Sequence, residues 1–117
     1  MAKGAIVFHW GATARGRERK ALEVFAESAA YFDDLEKNHR ITSHHPFISA
    51  TRNGGMWVVQ GEIDELEAVE NEADFLRLTT RVQMVADDYQ REHCYGGSVE
   101  DLGDLMGMFA ETTEQFA

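Results

Sequence analysis

A chain of 117 residues with 11 basic and 21 acidic side chains carries a formal charge of −10, and 44% of its residues are apolar. That length fits one domain spanning 1–117, because a split would leave two pieces with little core. The charge repels phosphate backbones and anionic bilayers, so no nucleic acid and no membrane surface is expected as a partner, and a small neutral or cationic ligand fits better.

Residues 5–10, "AIVFHW", form a short apolar run closed by Gly11 and read as a buried strand. The run is too short for the apolar region of a signal peptide and far short of the ~20 residues that span a bilayer, so the expected location is cytoplasmic. From about Gly16 to Lys37, Ala21, Leu22, Phe25, Ala29, Phe32 and Leu35 recur at spacings of three and four, which predicts an amphipathic helix. Residues 40–52 and 55–63 are rich in Ile, Phe, Val, Trp and Thr, and the Asn53-Gly54 pair between them predicts a tight hairpin. Pro46 lacks a ladder donor and places the first of these strands at a sheet edge or a bulge.

"DELEAVE" reads as a separate helical turn, and a second helical stripe follows through Phe75, Leu78, Val82, Val85 and Tyr89, with Asn71 and Asp74 as a capped start. "YQREHCYGG" suits a fourth strand, and Ser98 with Asp101 opens a last helix carrying Val99, Leu102, Leu105, Met106 and Phe109. Cys94 is alone, which excludes an internal disulfide and leaves a small buried apolar side chain as its expected role. The predicted order is βαββαβα.

A strand carrying "FHWG", a helix, an Asn-Gly hairpin, "GMWVVQGEID", a helix and a closing strand with a histidine together resemble the ferredoxin-like dimeric α+β barrel superfamily. The resemblance covers nearly the whole chain and lies in architecture. It implies an α+β fold with an antiparallel four-stranded sheet and a C-terminal helix, and a homodimer whose two sheets face each other across a cavity. Members include cofactor-free monooxygenases, haem-degrading or peroxide-handling enzymes and isomerases. The sequence supports self-association independently, because Val7, Phe47, Met56 and Val58 leave the sheet face opposite the helices partly apolar.

If Asn53 and Gly54 are the two loop residues, Arg52 faces Gly55, and Ala50 with Trp57 and Ile48 with Val59 fall on the helix side. The other side then pairs Thr51 with Met56, Ser49 with Val58, Phe47 with Gln60 and His45 with Glu62. Adjacent strand residues point to opposite faces, so His44 and His45 cannot share one metal, and no metal site is expected. A carboxylate opposite His45 would fix its tautomer and raise its basicity. The candidate catalytic residues are therefore His45, Glu62 and His9. The candidate ligand-binding residues are Gln60, His93, Tyr95, Phe47 and Val58, on the expectation that strands one and four bring His9, His93 and Tyr95 toward Gln60.

"GATARGRERK" concentrates Arg15, Arg17, Arg19 and Lys20 at a helix start, where an anion can bind. It lacks both the G-K-[ST] and G-x-G-x-x-G signatures of nucleotide sites. The leading functional expectation is a homodimer that binds a small, partly apolar molecule, without cofactor, for acid–base or oxygenase chemistry. A non-catalytic interaction module is the alternative, and a haem-binding protein the third.

Overall fold

The computed structural model describes residues 2–116. Its elements are β1 (Lys3–Trp10), α1 (Glu18–Lys37), β2 (Ser43–Ile48), β3 (Gly55–Glu62), α2 (Ile63–Glu70), α3 (Ala73–Val85), β4 (Gln90–Tyr95) and α4 (Val99–Gln115). The strands form one antiparallel sheet in the order β2-β3-β1-β4, which is the ferredoxin-like arrangement. No helix among the described residues is long and apolar enough to cross a membrane.

The helices cover one sheet face. Ile6 and Phe8 of β1 and Trp57 and Val59 of β3 pack there against Phe32 and Leu35 of α1, Leu66 and Val69 of α2 and Phe75 of α3. The aromatic rings interlock: the Phe8 centroid lies 5.8 Å from Phe32 and 6.0 Å from Phe75. Such tilted ring contacts add to the apolar burial that holds the two layers together. The turn after α1 is pinned by Arg40, whose guanidinium donates to Glu65 (2.7 Å) and Glu72 (2.9 Å) and so ties α1 to the α2–α3 pair.

Local structure departs from expectation in four places. The β2–β3 register is shifted: His45 meets Val58, Phe47 meets Met56 and Ile48 meets Gly55, with residues 49–54 forming a wider loop. Ser49 explains this, because its hydroxyl accepts the Arg52 N–H at 3.0 Å and the Thr51 N–H at 3.3 Å, closing the turn before Asn53-Gly54 is reached. The shift is even in number, so every β2 and β3 side chain keeps its predicted face.

The second departure is in β4, where His93 pairs with Ile6 and Tyr95 with Gly4, which puts both on the helix side. Third, α3 ends at Val85, and Tyr89 follows a left-handed Asp88 (φ 56°), although its ring still reaches Phe8 at 6.4 Å. Fourth, Asn71 ends α2 rather than starting α3, its side-chain amide donating to the Glu67 carbonyl at 2.9 Å. The predicted cap of α4 is present: the Ser98 hydroxyl accepts the Asp101 N–H at 3.1 Å.

His44 is part of the core architecture. Trp57 Nε1–H donates to His44 Nδ1 at 3.0 Å, and Nε2 faces Asp33 Oδ1 at 2.6 Å. Indole nitrogen only donates, so Nδ1 is bare and Nε2 carries the hydrogen given to Asp33. The ring also stacks on Trp57 at 5.8 Å and its side chain is only 9% exposed. His44→Ala removes this packing and leaves the Trp57 N–H unpaired in the core. The expected loss is about 3 kcal/mol, read as a lower urea midpoint followed by tryptophan fluorescence.

Candidate functional site

The face away from α1, α2 and α3 is crossed by three rows of side chains. His9 stands between Met56 and Gln90, with Phe47 beyond Met56; Val7 stands between Val58 and Glu92, with His45 beyond Val58. Ala5 stands between Gln60 and Cys94, with Ser43 beyond Gln60. Apolar Val7, Val58, Met56 and Phe47 thus lie among His9, His45, Gln60, Gln90 and Glu92, the mixed pattern of a small-molecule surface.

At the end where β1 finishes, a recess of about 540 Å³ is lined by His9, Trp10, Phe47, Met56, Gln90 and the loop residues Ser49, Arg52 and Asn53. The wider loop creates it, since Arg52 and Asn53 form its wall rather than the tip of a tight turn. His9 Nε2 lies 2.9 Å from Glu92 Oε1. A carboxylate accepts and does not donate, so Nε2 carries the hydrogen, and the Nδ1 lone pair of a neutral ring is left as a proton acceptor. His9 is 39% exposed at its side chain, within reach of solvent and solute.

The residues singled out from sequence divide into three groups. His9, Phe47, Val58, Gln60 and His45 lie on this one face, with His9 and Phe47 in the recess. The His45 ring is exposed and makes no side-chain hydrogen bond among the described residues. The expected His45–Glu62 contact is corrected: Glu62 lies four residues along β3 from Val58, about 13 Å away. It pairs instead with Lys3, Nζ to Oε1 at 2.9 Å, and that hydrogen bond holds the Glu62 carboxyl below its usual range and the Lys3 ammonium above its own.

His93 and Tyr95 form the third group and do not join His9 or Gln60. His93 Nε2 meets Glu70 of α2 at 2.8 Å, while Arg91 Nε reaches the same carboxylate at 3.1 Å and its guanidinium covers the Phe75 ring at 5.2 Å. These contacts fix the β4 parity by holding Arg91 and His93 on the helix side against Glu70 of α2. Glu92, Gln90, Arg52, Asn53 and Asp88 are the site members that sequence reasoning missed. Once β4 is phased, Glu92 follows, because it lies diagonal to His9 on the same face of the β1–β4 ladder, opposite Val7. Among the described residues no three His, Cys, Asp or Glu side chains gather as metal ligands.

No protein-family model matches this chain, and no curated protein does. Solved structures do. A conserved protein of unknown function from Bacteroides thetaiotaomicron, described as a possible oxidoreductase, superposes with a TM-score of 0.64 at 21% identity over 81% of this chain and 98% of its own. SnoaB, a cofactor-independent oxygenase from Streptomyces nogalater, superposes with a TM-score of 0.62 at 17% identity over 85% of this chain and 95% of its own. A dimeric protein of unknown function and ferredoxin-like fold from Bacteroides fragilis gives 0.62 at 5% identity, over 82% and 98%. At these identities the likeness is one of fold, and it agrees with the ferredoxin-like α+β class read from the sequence and the strand order.

Proposed function

We propose that this protein is a homodimer whose open sheet faces enclose a cavity for a small, partly apolar molecule, on which His9 acts as a base without a cofactor. The observation that carries the reading is the His9–Glu92 pair at 2.9 Å beside the 540 Å³ recess, with Phe47 and Met56 as an apolar bed. Glu92 holds the imidazole in one tautomer, and Nδ1 takes a proton from an acidic C–H or O–H of the bound molecule. Removing that proton makes an electron-rich anion, the species that isomerises by reprotonation elsewhere or reacts with dioxygen. Arg52 and Asn53 at the wall supply donors for the negative charge that develops.

SnoaB, a cofactor-independent oxygenase, supports the oxygenase branch, and the dimeric Bacteroides fragilis protein supports the dimer. His45, exposed on the same face, is the second candidate base, while Gln60 and Val58 extend the bed toward the opposite end. Glu62, held by Lys3, serves the sheet margin.

A panel of phenolic and enolisable ring compounds, screened by thermal shift, tests the reading. Ligands bearing one acidic proton on an apolar ring raise the melting temperature, and saturated analogues without that proton raise it less. A panel in which no member stabilises the protein, or in which ring acidity makes no difference, counts against a base in this cavity.

A further inference from the structure

Helix α4 is the least integrated element. None of its residues is buried, and Leu102, Met106 and Phe109 are 37%, 50% and 53% exposed. With Leu105 they stand at i, i+3, i+4 and i+7, a single apolar stripe, while Glu100, Asp104, Glu111 and Glu114 occupy the opposite side. The stripe is built to be covered, and its own chain leaves Met106 and Phe109 about half exposed and Leu105 only half-buried. The radius of gyration is 16.5 Å and the long axis 55 Å, against about 13 Å for the radius of a compact chain of this length.

Two further observations say what covers it. The first is where α4 starts. Gly97 approaches Gln60, to whose Nε2 an added Cβ would come within 3.2 Å, and Asp101 shares a small recess with Lys3 and Gln60. Lys3 and Gln60 belong to the open sheet face, so α4 sets out from the rim of that face and then leaves the body. The second is area. Four strands about 4.8 Å apart and about six residues long present a face of about 400 Å², half of the ~800 Å² per partner in a stable interface. A helix about 25 Å long and 10 Å across adds about 250 Å² each time it is given or received, which makes up the difference.

The five acids and no base of α4 also disfavour an anionic membrane or nucleic acid as its cover. We infer that α4 is an arm exchanged between two copies of the chain: the Leu102–Leu105–Met106–Phe109 stripe of each protomer packs on its partner at the rim of the open sheet. This rests on the homodimer proposed above.

Sedimentation equilibrium on the full chain tests it, comparing wild type with the double variant Met106→Glu, Phe109→Glu and with Met108→Glu on the acidic side. The double variant is expected to weaken dimerisation about 100-fold or more, and Met108→Glu by less than about threefold. Hydrogen exchange on the wild type gives a second readout that needs no variant to fold: α4 amides are protected above the dimer dissociation constant and lose protection on dilution below it. Dimerisation unchanged in the double variant overturns the arm and leaves the dimer standing, as do α4 amides that exchange freely in the dimer or are equally protected in the monomer. A wild-type chain that stays monomeric at millimolar concentration overturns both.

Discussion

His9→Ala is expected to lower turnover of the cavity's substrate by about 10²–10⁴-fold while the fold persists, the range by which a positioned general base contributes. The fold persists because His9 is on the open face, outside the buried cluster, and substitutions at such exposed positions stay within about 0.5 kcal/mol. Glu92→Gln keeps the shape but can also present an N–H to the ring, which favours the wrong tautomer. Its loss is therefore smaller than that of His9→Ala and falls on kcat more than on KM. His45→Ala separates the two candidate bases: an intact rate leaves His9 as the proton acceptor, and a collapse moves the role along the same face. His93→Ala is the control, since its exposed ring lies on the helix side of the sheet, hydrogen-bonded to Glu70, and the change should leave the rate unchanged. Equal rates in wild type and His9→Ala would remove His9 from the chemistry.

The contrast between His9 and His93 shows how much of the site is legible in sequence. Within β2 and β3 the faces are readable, because alternation carries parity along each strand and the loop error of the hairpin is even, so His45, Phe47, Val58 and Gln60 stay together despite the wrong partners. Nothing comparable phases β4 against β1. Those strands are distant in sequence, and the phase is set by Glu70 of α2 pairing with Arg91 and His93, a tertiary contact. The pairing of Glu92 with His9 was hidden by the same choice. His44 was readable as the inward histidine of the pair, but its bonds to Trp57 and Asp33 depend on the shifted register. The helices were legible because their stripes are long, and the exposed stripe on α4 looked the same in sequence as the buried one on α3. Periodicity reports that a face wants cover, and only the structure tells which chain supplies it.

The loop that forms the recess supplies the other large effect. Gly54→Ala is expected to cost at least about 3 kcal/mol and to abolish ligand binding in whatever protein still folds. Its φ of +92° disfavours any side chain, and an added Cβ would overlap the Trp10 carbonyl oxygen and lie 2.6 Å from the Gly11 carbonyl oxygen. Both obstacles are backbone at the end of β1. That backbone cannot yield cheaply, because the Gly11 N–H donates to the Asp87 carbonyl at 2.7 Å and the Asp87 N–H returns to Ala12 at 2.8 Å. The 49–54 loop must move instead, and Arg52 and Asn53 move with it, away from His9. Gly16→Ala is the matched control: its φ is +81°, but nothing lies within 4 Å of its added Cβ, so it carries the conformational cost of about 1–2 kcal/mol without the clash. Urea midpoints of the two variants separate these contributions. If Gly54→Ala is no less stable than Gly16→Ala, the loop is free of β1 and the recess wall is not fixed by the fold.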